Sequence, residues 1–338
     1  MNHYENCMQC PKKCGVNRTQ KQKGFCQETD DLKIAFAGLH FGEEPLVTVF
    51  GGSGTIFITG CTLRCAFCQN YQISQNGYGS DVDSKEFTKM CLDLQNAGAE
   101  NINIVTGSHH IPKLAEFIRA AKDAGVTIPF CWNSSAYETV ESLELLKGLV
   151  TIWLPDLKTL SSSLSKDLFL APDYPQVAAK AIKWMIQNNP LKIKTVESPK
   201  IAKSIEWAQD GEPREKMEQG VIIRHLFLPG KFQETADVLQ WLKENADTKS
   251  CISLMNQYTP VSFNEEKTKL ERRQKALKAI ENRLVSQEED LDIQDLIEAY
   301  DFEYLFYQEL SDDTSWLPDF TKPQPFSNAL ATPIWHCK

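Results

Sequence analysis

From residue 50 onward the chain alternates strand-like and helix-like segments, and no other feature constrains the fold as strongly. Short runs rich in Ile, Val, Phe and Thr predict strands at 55–59, 102–105, 128–131, 150–154, 221–227 and 251–255. Helices are predicted between them at 84–97, 112–124, 137–147, 177–188 and 235–245. In the first of these, Phe87, Met90, Cys91, Leu94 and Ala97 return at helical spacing, with Ser84 as the expected cap and Gly98 as the stop. Strands separated by helices make βαβ units and a parallel sheet. Six such units fall short of a closed eight-fold barrel, so the expected class is α/β, a partial (β/α)6 TIM-like barrel. Three parts are expected: a small Cys-rich metal-binding segment over 1–48, the partial-barrel core over 49–262, and a helical extension and tail over 263–338.

In parallel α/β folds the chemistry gathers at the C-terminal ends of the strands. Polar residues stand there repeatedly. His109 and His110 follow the second strand, Asn133 and Ser134 the third, and Asp156 and Lys158 the fourth. Arg224 and His225 lie within the fifth, and Asn256, Gln257 and Tyr258 close the sixth. Residues 190–218 read as an insertion, a solvated excursion or a lid, carrying Lys192, Lys194, Lys200 and Lys203, then Asp210, Glu212 and Glu215. Residues 264–299 read as one or two charged helices with a partial apolar stripe of Leu270, Leu277, Ile280 and Leu284, packing across the barrel as cover.

The first strand runs straight into Cys61, Cys65 and Cys68, a Cys-x3-Cys-x2-Cys spacing. Three soft thiolates this close suit three corners of a cubane iron–sulfur cluster. The local run has no fourth ligand, so one iron stays open, and an open metal position is where catalysis becomes possible. Zinc and buried structural thiols are the plainer readings, but zinc commonly takes four protein ligands in two pairs. Cys7, Cys10, Cys14 and Cys26 form a second group, whose four soft ligands suit either a closed zinc site or a fully ligated auxiliary cluster. Pro11, Lys12, Lys13 and Gly15 make its loop tight and basic. Cys91, Cys131, Cys251 and Cys337 read as small buried hydrophobes.

Composition sets outer bounds. The chain has 338 residues, 42% hydrophobic and 24% charged, as in soluble globular proteins. No apolar run reaches membrane-spanning length and the N-terminus lacks signal-peptide character, so no membrane partner and a cytoplasmic location are expected. Eleven cysteines in such a compartment favour metal ligation over disulfides. A net charge of −9 argues against nucleic acid as a general partner.

Cys61-Thr-Leu-Arg-Cys-Ala-Phe-Cys68 resembles the cluster motif of the radical S-adenosylmethionine (SAM) superfamily. More narrowly, the chain resembles the PflX-like group, often labelled putative pyruvate formate-lyase-activating enzymes. The likeness extends to 7–18, His40-Phe-Gly-Glu-Glu-Pro, Asn101-Ile-Asn-Ile-Val-Thr, Leu154-Pro-Asp-Leu-Lys, Ile223-Arg-His-Leu, Met255-Asn-Gln-Tyr and Leu317-Pro-Asp-Phe. The resemblance implies a [4Fe-4S] cluster on Cys61, Cys65 and Cys68 whose unique iron binds SAM and, once reduced, cleaves it to methionine and a 5′-deoxyadenosyl radical. It implies Phe67 near the adenine, and Lys158 and Arg224 as cations for the SAM carboxylate. Activating enzymes hold the SAM amino group with a Gly-Gly-Glu-like turn, which Thr106-Gly107-Ser108 lacks, so hydroxyls or backbone carbonyls must replace the carboxylate. Asn133 and Ser134 likewise depart from an Asp-Thr-Asn-Gly pattern, while Asp156 and Lys158 match Asp-x-Lys.

The expected function is therefore a radical SAM oxidoreductase that abstracts hydrogen from a substrate over the barrel mouth, such as a glycine of a partner enzyme. A low-potential electron donor of flavodoxin or ferredoxin type is the expected partner, with a protein as candidate substrate. The alternative is an iron–sulfur or zinc protein for electron transfer or interaction, without SAM chemistry.

Overall fold

A computed structural model describes residues 3–198, 211–327 and 330–337. The strands are β1 (Lys33–His40), β2 (Ser53–Ile58), β3 (Ser80–Asp81), β4 (Ile102–Val105), β5 (Phe130–Ser134) and β6 (Ile152–Pro155), followed by β7 (Lys192–Val196), β8 (Arg214–Leu226), β9 (Cys251–Met255), β10 (Leu305–Gln308) and β11 (Ala331–His336). The helices are α1 (Tyr71–Ser74), α2 (Ser84–Asn96), α3 (Ile111–Asp123), α4 (Val140–Leu143) and α5 (Ser162–Phe169), then α6 (Tyr174–Asn188), α7 (Phe232–Asn245), α8 (Lys267–Leu277) and α9 (Gln287–Tyr300).

The sheet runs β10-β9-β8-β6-β5-β4-β2-β1-β11. Every pairing from β2 across to β10 is parallel, so the partial α/β barrel is the fold. All six predicted parallel strands are present. The sheet also gains strands that the alternation did not reveal. β10 adds a seventh parallel strand from the tail. β1 pairs antiparallel with β2, and β11 pairs antiparallel with β1. The extension is thus helical only over α8 and α9.

Local chemistry explains the shifted boundaries. Asp83, not Ser84, caps α2, accepting from the Glu86 amide at 2.9 Å. The helix predicted at 137–147 begins only at Val140, because Ala136 adopts a left-handed φ of 55° and Thr139 supplies the cap. The 190–218 insertion contributes β7, which pairs antiparallel with the first half of β8; Lys200, Lys203 and Asp210 lie outside the described residues.

Alternate residues of each strand face opposite sides of the sheet. Trp132, Trp153 and Ile104 join the helix-side core with Leu114, Phe117 and Ile182. Cys131, Ile152, Leu154 and Cys251 face the other side, where Leu46 and Val47 from the segment after β1 fill the space. The Asn101 amide fixes that segment by donating to the Val47 carbonyl at 3.0 Å. The four cysteines expected as core residues are all buried. Among the described residues no helix is long and apolar enough to cross a membrane.

Candidate active site

The three-cysteine loop leaves the C-terminal end of β2 through Gly60, whose φ is +90°. A Cβ there would stand 2.5 Å from Glu28 Cγ and 2.8 Å from His109 Nε2, so only glycine fits this turn. Beyond it the loop is pinned from three sides. The Arg64 and Ala66 amides donate to the Phe169 and Leu168 carbonyls at 3.3 and 2.8 Å. Gln75 Nε2 donates to the Cys65 carbonyl at 3.0 Å, and Arg273 Nη1 to the Cys65 and Ala66 carbonyls at 3.1 Å each. The Leu63 amide donates to Cys61 Sγ at 3.3 Å, and Ser74 Oγ lies 3.3 Å from Cys68 Sγ. Burial pushes the Cys61 thiol up to about 12 and the Cys65 thiol also upward, while the Lys158 cation opposes both shifts. Soft-metal binding would overturn that preference, since a coordinated thiol is deprotonated outright. Phe67 packs edge-on against Phe169 and Tyr258, with ring centroids 6.0 and 5.7 Å away.

The ends of β4 and β5 converge on a residue that the sequence reading missed. Thr106 takes a left-handed φ of 64° and donates its amide to the Asn133 carbonyl at 2.9 Å. This turn presents Ser108, whose Oγ donates to Glu138 Oε1 at 2.5 Å. Trp132 Nε1 donates to the same oxygen at 3.3 Å, and the Ser134 side chain also bonds this carboxyl. Glu138 is 1% exposed, and its other oxygen, Oε2, has no hydrogen-bond partner among the described residues. Burial drives its pKa up against the hydrogen bonds that favour the anion. The available signal was a lone carboxylate in the polar stretch 133–138, five residues past Asn133.

Farther round, Arg224 sits among carboxylates. Its Nε lies 3.3 Å from Asp156 and 3.9 Å from Glu44, its Nη1 lies 3.4 Å from Glu43, and its Nη2 donates to Asn133 Oδ1. Burial raises the Glu43 and Glu44 carboxyls, with Arg224 opposing. Burial also works against the Asp156 anion, but Lys158 and Arg224 outweigh it and hold its pKa below the usual value. Lys158 Nζ donates to Asp156 Oδ2 at 2.6 Å and feels the Cys65 sulfur. Tyr174 braces this turn, accepting from the Lys158 amide at 3.0 Å and donating to the Asp156 carbonyl at 2.7 Å. Arg224 is therefore engaged by internal carboxylates, while Lys158 is the cation that faces the cysteine loop.

The family model for the radical SAM superfamily matches residues 55–193, the stretch that contains this loop and the ends of β4, β5 and β6. The chain is similar to the uncharacterised protein MJ0674 of Methanocaldococcus jannaschii, 29% identical over 280 residues that cover 80% of this chain and 71% of that protein. Among solved structures it is similar to Streptococcus suis SuiB bound to the precursor peptide SuiA, with 12% identity and a TM-score of 0.48 over 74% of this chain and 46% of SuiB. The chain thus spans less than half of SuiB. A domain of pyruvate-formate lyase-activating enzyme from Bacteroides vulgatus matches with 10% identity and a TM-score of 0.35, covering 59% of this chain and 92% of that one. The superfamily matched over 55–193 is one of enzymes with a [4Fe-4S] cluster and SAM.

The second cysteine group docks directly on the matched stretch, at the cysteine loop and the end of β4. Cys7, Cys10 and Cys26 are buried and Cys14 is half-buried. Their loop closes through Cys7 N to Val16 O, Gly15 N to Cys7 O and Lys13 N to Cys10 O, each 3.0 Å. The Phe25 amide donates to Cys14 Sγ at 3.3 Å. Arg64 Nη2 donates to the Phe25 carbonyl at 2.8 Å, which ties this segment to the Cys61–Cys68 loop. Among the described residues no three His, Cys, Asp or Glu side chains converge to hold a single metal ion. The strand-end histidines serve this docking too. Arg18 donates to the His109 carbonyl at 2.6 Å and contacts the His110 ring, while His109 Nε2 donates to the Thr59 carbonyl at 2.7 Å.

Proposed function

We propose that this chain is a PflX-like radical SAM oxidoreductase, related in type to activating enzymes, that takes a hydrogen atom from a substrate at the C-terminal mouth of the sheet. The observation that carries the reading is the pinned loop of Cys61, Cys65 and Cys68, which sits at that mouth with Lys158 beside it. Cys61, Cys65 and Cys68 would hold a [4Fe-4S] cluster, which when bound and reduced would supply the electron for reductive cleavage of SAM.

The chain's own residues bind and orient. Lys158, held by Asp156, is the cation for the SAM carboxylate, and Arg224 acts through Asp156 as a positioning residue. Glu138 Oε2 is a buried acceptor without a donor, the complement of the SAM ammonium, so it takes the place of the carboxylate missing from Thr106-Gly107-Ser108. Ser108 and Ser134 hold Glu138 in place, and Thr106 and Asn133 shape the turn between them. Phe67, Phe169 and Tyr258 form an aromatic wall for the adenine. The activating-enzyme likeness points to a glycine of a partner protein as the hydrogen donor. Cys7, Cys10, Cys14 and Cys26 hold a second metal centre, either a closed zinc site or an auxiliary iron–sulfur cluster.

Calorimetric titration with SAM, and with an analogue lacking the amino group, tests the SAM assignment. Glu138→Gln should weaken SAM binding roughly ten- to hundredfold, the value of a charge-assisted hydrogen bond, and leave the analogue unaffected. Equal losses for both ligands would reduce Glu138 to a structural role. Metal analysis of Cys7→Ala/Cys10→Ala should show iron lost for an auxiliary cluster or zinc lost for a zinc site; unchanged metal content would dismiss the second centre.

A further inference from the structure

The flank of the cysteine loop that carries the Cys65 and Ala66 carbonyls bears charge of the wrong sign for this protein. The chain is acidic overall, at −9, yet α8 packs there and sets Lys267, Lys269, Arg272, Arg273 and Lys275 against Glu271 alone. Arg273 is spent on the loop carbonyls and on Glu265, 2.6 Å away. Arg272 is exposed, and no described carboxylate lies within ion-pair distance of it. Arg64, Ala66, Gln75, Leu170, Arg272 and Arg273 line one shallow groove, with Asp167 as its single carboxylate. Ala66, between Cys65 and Cys68, is part of this lining. Lys12 extends the basic rim, donating to the Leu170 carbonyl at 2.5 Å and lying over the Phe25 ring that Arg64 also covers. Arg272 and Arg273 both crowd the Arg64 cation, whose pKa burial and these neighbours depress. Crowded, incompletely paired guanidinium groups beside a 40%-exposed Leu170 make a surface that gains from an anionic, partly apolar partner.

We propose that this groove is the docking surface for an acidic one-electron carrier protein, which reduces the cluster through the Cys65–Ala66 segment that lines it. The inference rests on the reading that Cys61, Cys65 and Cys68 hold the cluster. The step is a single electron transfer. A carrier of flavodoxin type loses one electron from its hydroquinone, the cluster gains it, and no atom moves between the proteins.

Three forms of the reconstituted full chain test this: wild type, Arg272→Glu, and a Lys249→Glu variant that alters an exposed cation elsewhere. Calorimetry measures binding of an oxidised acidic flavodoxin at low and at moderate salt. Wild type and Lys249→Glu should bind, with affinity falling as salt rises, and the groove variant should bind at least about tenfold more weakly with a flatter salt dependence. Photoreduction with deazaflavin should reduce all three at equal rates, showing that the loop is intact. The proposal fails if the groove variant binds flavodoxin as wild type does, if wild type does not bind it, or if a short RNA binds the groove more tightly than flavodoxin. A wild-type protein that deazaflavin cannot reduce at all would instead remove the cluster assignment beneath it.

Discussion

Gly60 shows how a single residue decides whether the cysteine loop forms. Its positive φ and the contacts to Glu28 and His109 leave no room for a side chain. Gly60→Ala should cost about 2–4 kcal/mol from backbone strain and overpacking together. The loop would shift, so iron uptake on anaerobic reconstitution should fall; a variant with wild-type melting temperature and iron content would show that the turn tolerates a side chain. At this scale the cysteines were legible, because three ligands within eight residues state their chemistry through spacing alone. Glu138, Glu43 and Glu44 were not. A carboxylate in a loop looks solvated until tertiary structure buries it against Ser108 or Arg224, and no local pattern announces that burial.

At the scale of elements, β8 and α7 are joined by a histidine with a fixed tautomer. His225 is buried; its Nδ1 donates to the Leu157 carbonyl at 2.7 Å and its Nε2 accepts from Thr235 Oγ1 at 2.8 Å. Burial foremost, with the Lys158 cation adding, lowers its pKa to about 4; the Leu157 bond and the Asp156 anion oppose this. A folded-state pKa below the unfolded value means the folded protein binds fewer protons. Its contribution is complete above about pH 6.5 and is lost as pH falls through about 4. The amount is roughly 3 kcal/mol. His225→Gln should flatten the fall of melting temperature between those limits, whatever it does to stability at neutral pH; an unchanged slope would assign the acid sensitivity elsewhere. The parallel strands were legible because each is a short apolar run between helices with clear stops. β10 escaped because Leu305–Gln308 lies in a charged tail, and β1 and β11 because their antiparallel pairing breaks the alternation.

At the scale of the molecule, the tail folds back onto α1, just past the cysteine loop, and the N-terminal segment onto the turn after β4. The tail does so through Asp319, which accepts from Gln72 at 2.9 Å, and through the Phe320 amide, which donates to Gln72 Oε1 at 2.8 Å. The N-terminal segment does so through Arg18, 1% exposed, which binds the Thr29 and His109 carbonyls. Arg18→Met would leave those carbonyls unsatisfied at a cost of about 2–4 kcal/mol. Limited proteolysis should then cut within 3–30 before the sheet is attacked; cleavage at the wild-type rate would mean the segment is held by other contacts. The central claim is that the three thiols hold a cluster that cleaves SAM. Its most direct measurement is 5′-deoxyadenosine released by the anaerobically reconstituted, reduced protein supplied with SAM. Wild type should release 5′-deoxyadenosine and Cys65→Ala should release none; a wild-type protein loaded with iron that releases none under several reductants would contradict the account.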